Sequence, residues 1–285
     1  MRARDPQSGV VLVNVLVILA IAASVVLLML GSRDAALDRV ARQSDAVQAE
    51  WLALGAEASV VDALRRDLET APDSDHYAEP WTRVNQDEVT LAGGQFSVTV
   101  TDAQARFDIN RLAAQGFAAV EFFARLLALL DLPPERAGDV AAALQRLGPV
   151  GDLRDLERLG LPGDMLDKLA PYVTALPVEG TINLNTAPPL LLQAMFNNRA
   201  IAARVQRLRD TDGMLTRAGL EGIGALRPEN SGFTSNVFDL EVLAEVGAAR
   251  VRLQSRIVRT NDLQGRSVTV YARRLLPVGD LPPEE

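Results

Sequence analysis

From Val10 to Leu30 the chain reads VVLVNVLVILAIAASVVLLML, apolar at nearly every position and without a charge. As a helix at ~1.5 Å per residue this run reaches about 30 Å, the thickness of a bilayer's hydrocarbon core. From Ser32 to Ala71 the pattern becomes two-faced. Val40, Val47, Trp51, Leu54, Ala58, Val61, Leu64 and Leu68 recur at helical spacing, and Arg42, Asp45, Gln48, Asp62, Arg65, Arg66, Asp67 and Glu69 fill the opposite side. With Pro72 as the stop, the two stretches predict one rod of about 60 residues, its lower part apolar all round and its upper part packed on a domain.

Beyond the rod the periodicity alternates between two and 3.6. Residues 71–87 form a polar, proline-punctuated connection. Val89–Leu91, Gly93-Gly94 and the alternation of Phe96, Val98 and Val100 with Ser97, Thr99 and Thr101 predict a β-hairpin. Helices are then predicted over 117–130, 135–147, 151–159, 164–173 and 200–209, separated by Pro133-Pro134, Pro149 and Pro162-Gly163. After Ser231-Gly232, alternation returns at Phe238, Leu240 and Val242, and again over 251–258 and 267–275, with Asn261, Asp262 and Gly265 turning the chain between the last two strands.

Composition narrows the chemistry. A net charge of −8 and a pI near 4.9 argue against a general nucleic-acid binder, which needs a basic face to replace counterions. Without cysteine there is no disulfide and no thiolate chemistry. His76 is the only histidine, which excludes a histidine-cluster zinc site and supplies no base to an identifiable nucleophile. Asp73, Asp75 and Glu79 offer hard oxygens, but acids in a proline-rich connection read first as surface turns, as does Asp210-Thr-Asp-Gly213. Asp102 and Asp108 likewise read as a strand end and a helix cap rather than as a catalytic pair. No catalytic residue and no metal ligand is assigned.

The short leader MRARDPQSG, ending in Gly9 and followed by an uncharged helix that becomes amphipathic, resembles the N-terminus of type IV prepilins and type II secretion pseudopilins. The resemblance implies cleavage by a prepilin peptidase between Gly9 and Val10 and methylation of the new amino terminus. At the fifth residue after that cut stands Asn14, where most pilins carry a glutamate; the subunit lacking it resembles the tip protein, type II secretion protein K. Arg106-Phe-Asp-Ile-Asn110, Asp164–Pro177 (DMLDKLAPYVTALP) and Thr181–Pro188 (TINLNTAP) are similar to stretches of that same family. Its acidic metal-binding segment has no counterpart in 140–153, VAAALQRLGPVGDL, so no cofactor is expected and calcium there is disfavoured.

The expected fold is therefore α+β. A long transmembrane and amphipathic helix packs on a small antiparallel, pilin-like sheet, and an all-helical subdomain of helix-hairpin-helix or SAM-like type is inserted. Residues 1–9 are the leader, 10–31 the membrane helix, 32–71 the amphipathic helix, 72–110 and 231–276 the pilin-like domain, 111–230 the insert and 277–285 a tail. Within the insert, Leu156–Gly163 with Met165–Leu169 reads as a helix-hairpin-helix unit, and Asn185 or Thr186 as the cap of a helix near Pro188.

The resemblance implies a non-enzymatic minor pseudopilin that caps or initiates the pseudopilus, with minor pseudopilins I and J, the prepilin peptidase and inner-membrane lipid as partners. Arg2 and Arg4 against Asp5 put the N-terminus on the cytoplasmic side and the bulk of the chain in the periplasm. The rival is a membrane-anchored helix-hairpin-helix DNA receptor of a competence-like system. Its hairpin would be Leu161-Pro162-Gly163-Asp164, where Glu157, Asp164 and Asp167 repel phosphate, so no nucleic acid is expected.

Overall fold

The computed structural model describes residues 7–71, 73–91, 93–114, 116–262 and 265–277, with backbone alone at 7–12, 30–32, 34–35, 262 and 277. Leader residues 1–6, with Arg2, Arg4 and Asp5, the helix stop at Pro72 and tail residues 278–285 lie outside the described residues, as does the side chain of Val10.

Helix α1 runs unbroken over Gln7–Thr70. Two antiparallel strands follow, β1 (Gln86–Leu91) and β2 (Gly94–Asp102), then a two-residue β3 (Phe107–Asp108). Helices α2 (Phe117–Leu129), α3 (Arg136–Leu147) and α4 (Gly163–Leu169), strands β4 (Val173–Thr174) and β5 (Ile182–Asn183), and helices α5 (Pro189–Phe196), α6 (Arg199–Asp212) and α7 (Arg217–Gly222) come next. The chain closes with β6 (Ser231–Gly232), β7 (Val237–Val246), β8 (Ala249–Asp262) and β9 (Gly265–Pro277).

The main sheet has the order β1-β2-β7-β8-β9 and is antiparallel throughout. Strands β2 and β7, distant in sequence, pair without a break from Gln95↔Glu245 to Asp102↔Phe238. Alternation puts Val98, Val100, Phe238, Leu240, Val242, Ala244, Leu253 and Ile257 on one face, where they pack on α1. A second core, around Phe107, Phe123, Leu144, Leu169, Leu192 and Val205, belongs to the segment between the strands.

Two expectations need correction. The excursion is not wholly helical: β3 pairs parallel with β4, and β5 with β6, and the first arm of the expected helix-hairpin-helix is a 3-10 helix, Leu153–Leu159, ended by Gly160 in the left-handed region. The buried face of α1 is Ala49, Ala53, Ala56, Val60, Leu64 and Leu68, whereas Val47 and Trp51 are 45% and 69% exposed. Small residues take the lower part of this face and larger ones, Val60, Leu64 and Leu68, its upper part. Asp67, assigned to the polar side, is buried as well.

Among the described residues, no helix is long and apolar enough to cross a membrane.

Candidate functional site

The described side chains of the lower half of α1 are exposed to solvent. Val13, Leu16, Ile18, Leu19, Leu27 and Leu28 are exposed, and Leu37, Val40, Val47 and Trp51 continue the bare surface up to the sheet. Asn14 lies exposed on this rod. Gly9 and Val10 fall in its first turns. So much contiguous apolar surface on one element marks an association surface.

The upper half is fastened by charge as well as by packing. Glu57 of α1, buried among apolar residues, accepts from Ser255 of β8 and takes a two-pronged contact from Arg273 of β9, Nε to Oε2 at 3.0 Å and Nη2 to Oε1. That contact raises the Arg273 pKa. Near the helix end, Arg259 of β8 reaches Asp67 Oδ2 at 3.1 Å and also Asp75 Oδ2 and the Ser235 carbonyl. The connection after α1 is therefore no surface turn. Asp75 and Glu79 are buried, and Glu79 accepts from the Trp81 indole at 2.9 Å and the His76 amide at 3.0 Å. Trp81 packs edge-on against Phe238 at 5.3 Å, carrying this knot into the sheet core.

A second knot joins the sheet to the excursion. Asp102, at the end of β2, is 2% exposed, and burial pushes its pKa up although it accepts from four donors: the Gln104 amide, Asn183 Nδ2 at 3.0 Å, Thr186 Oγ1 at 2.5 Å and Ser235 Oγ at 2.6 Å. Asn183 also donates to the Asp75 carbonyl. Asp108 accepts from the Asn110 and Leu176 amides, and burial raises its pKa too. These are the strand-end and cap roles expected of Asp102 and Asp108. Asn185 and Thr186 do not cap α5. Pro188 occupies the cap and Pro189 the first turn, so one fewer N–H needs a partner, and Asn185 accepts from the Leu215 amide instead.

On the face away from α1, Arg106 and Arg256 converge on Asp239, at 2.5 and 2.8 Å, and Arg256 continues to the Ala175 carbonyl. Beside them a cleft of about 1100 Å³ separates sheet from excursion, with acids such as Asp155 and Asp167 on one wall and Arg274 on the other. The hairpin at 161–164 exposes Glu157, Asp164 and Asp167, an acidic surface that gives the DNA-receptor reading no support.

A long helix half clasped by an antiparallel sheet and half bare, with a helix-rich excursion between β2 and β7, defines an α+β subunit of the rod-on-sheet class. No protein-family model matches the chain. The type II secretion system protein K of Klebsiella pneumoniae is 32% identical over 230 residues, covering 67% of this chain and 70% of that protein. That of Pseudomonas aeruginosa is 30% identical over 230 residues, covering 68% and 69%. A crystal structure of the GspK-GspI-GspJ complex from the enterotoxigenic Escherichia coli type 2 secretion system matches the fold with a TM-score of 0.63 at 24% identity, over 83% of this chain and 99% of the solved one. The chain belongs to the type II secretion system protein K family.

Proposed function

We propose that this chain is a minor pseudopilin of the type II secretion system, capping or initiating the pseudopilus that drives folded proteins across the outer membrane. The observation that carries this reading is the run of exposed apolar side chains on the lower part of α1, such as Val13, Leu16, Ile18, Leu19, Leu27 and Leu28, a surface suited to another helix or to lipid. The Val10–Leu30 helix holds the chain in the inner membrane as a single pass, N-terminus cytoplasmic and C-terminal part periplasmic, until assembly extracts it. Prepilin peptidase cuts after Gly9 and leaves Val10 as the methylated first residue.

The relative of solved structure was crystallised with GspI and GspJ, and we assign the corresponding minor pseudopilins I and J as partners here. Asn14 suits a tip position. A carboxylate there would need a partner above it in lipid, and a neutral amide does not. The excursion of 111–230, carried by the pilin-like unit of 72–110 and 231–276, is the bulk that leaves no room for a further subunit. The role is mechanical rather than catalytic.

The test is cysteine cross-linking along α1 in secreting cells. Cross-links to pseudopilins I and J at the filament end are expected; incorporation at interior positions would overturn the tip assignment. The N-terminal mass with and without the peptidase tests processing, and a start at Met1 in both strains would remove Gly9 from the mechanism.

A further inference from the structure

The knot at the top of α1 does not balance its charges. Asp67 on the last turn of the helix, with Asp75 and Glu79 on the loop after it, are 2%, 0% and 5% exposed. The cation in hydrogen-bond contact with the two aspartates is Arg259, itself 2% exposed, whose guanidinium occupies Oδ2 of both. Three carboxylates against one guanidinium leave two negative charges in the interior, a state that costs several kcal/mol per ion unless compensated.

A second observation is independent of that count. The other oxygens, Asp67 Oδ1 and Asp75 Oδ1, are shut off from solvent and accept no hydrogen bond from the described residues. Buried carboxylate oxygens are rarely left bare, because each forfeits its hydration without return. One ligand atom from each of Asp67, Asp75 and Glu79 falls within 4.8 Å of the others, the separation of oxygens sharing one ion. Glu79 has an oxygen to give: Oε2 is held at 2.9 and 3.0 Å by Trp81 and His76, while Oε1 has only Ser74 Oγ at 3.2 Å and His76 Nε2 at 3.4 Å.

We propose that Asp67, Asp75 and Glu79 bind one hard divalent cation, calcium in preference to magnesium. The donors are all carboxylate oxygens, which excludes a soft metal. The double charge matches the two uncompensated charges. Magnesium demands a near-ideal octahedron, whereas calcium accepts an irregular shell of six to eight oxygens, which carboxylates can fill in bidentate fashion and backbone carbonyl or water can complete. The ion locks the last turn of α1 to the loop and, through the shared aspartates, to Arg259 of β8. These residues are distinct from 140–153, where the family resemblance would put an acidic segment. The neighbouring acid Asp102 is engaged by its own four donors and is not a ligand.

The test uses the full chain in detergent, stripped with chelator and titrated with terbium at neutral pH. Trp81 donates to Glu79, so indole excitation should sensitise bound terbium; the signal should saturate at one ion per chain, and calcium should displace it at far lower concentration than magnesium. Calcium should also raise the thermal midpoint in a concentration-dependent way. Glu79→Gln should weaken calcium at least tenfold, and Asp73→Asn, on the exposed part of the same loop, should leave it unchanged. If Glu79→Gln fails to fold, calcium stoichiometry by isothermal titration of the native chain decides. The proposal fails if no saturable signal appears and calcium leaves the midpoint unmoved, which would mean that protons balance the charge. It also fails if a folded Glu79→Gln chain binds as well as the native one, since the ion would then sit elsewhere.

Discussion

Replacing Asn183 by leucine tests whether the knot between sheet and excursion is rigid and dry. Asn183 is fully buried; its Nδ2, with two hydrogens to give, lies within hydrogen-bond distance of the Asp75 carbonyl at 2.9 Å, Asp102 Oδ2 at 3.0 Å and Ser235 Oγ at 2.9 Å, and its Oδ1 accepts from the Asn185 amide at 3.0 Å. Leucine has the same branching and heavy-atom count but is bulkier, so the substitution removes hydrogen bonds without opening a cavity and adds crowding that can only increase the loss. Asp102 keeps Thr186 and Ser235 as donors, which leaves two groups without this partner, the Asp75 carbonyl and the Asn185 amide. At about 1–3 kcal/mol for each orphaned buried group, the loss should be roughly 4 kcal/mol, a large part of the ~5–15 kcal/mol available to a folded domain.

Urea unfolding followed by near-ultraviolet circular dichroism would report it, with the buried Trp81 close by as a probe. Asn183→Asp makes the comparison sharper. It keeps the shape but sets a carboxylate 3.0 Å from Asp102, so it should be worse than leucine at neutral pH and recover partly on acidification. A leucine variant within about 1 kcal/mol of native would refute the reasoning, because it would mean that water already satisfies these groups.

Other outcomes follow from single contacts. Gly94→Ala should cost about 1–3 kcal/mol or more in urea unfolding, since an added Cβ would stand 2.5 Å from the Glu245 carbonyl oxygen and 2.7 Å from Val246 Cγ2. In chelator, the thermal midpoint should rise as pH falls from 7 toward 4. Burial lifts the Asp67 pKa from 3.8 to about 6, so the native state holds that proton more tightly than the unfolded chain, and stability is lost as pH climbs through this window. Asp67→Asn should flatten that slope. Asn14→Glu should lower cargo export, measured by secreted enzyme activity, because the tip then carries an unpaired carboxylate in lipid; unchanged export would remove Asn14 from the mechanism.

The rod and both hairpins are legible in the sequence because their signals are local. Gly93-Gly94 and Asn261 to Gly265 lie where alternation pauses, and β1–β2 and β8–β9 form there. The face of α1 was misread by part of a turn. A hydrophobic pattern favours bulky residues such as Val47 and Trp51, whereas small Ala49, Ala53 and Ala56 are the ones buried there, and alanine carries little periodic signal. The two knots left no such trace. Arg259 meets Asp67 across 192 residues, and Thr186 meets Asp102 across 84, so neither pairing has a periodicity to betray it. Asp75 and Glu79 resemble turn acids until their distant partners are known. The TINLNTAP stretch was singled out correctly, but its Asn and Thr hold two lobes together rather than start a helix.

The pairing of β2 with β7 has an architectural consequence. Asp102 and Phe238 face one another across adjacent strands, so everything between them leaves and returns through a gap no wider than a strand spacing. To the five-stranded sheet, that span is equivalent to the tip of an ordinary hairpin. Loop closure grows only slowly with length, so a two-residue turn and a whole additional lobe are nearly interchangeable solutions at this doorway. The sheet is thus a socket whose passenger can be enlarged, reshaped or exchanged, provided that the newcomer supplies its own donors for Asp102.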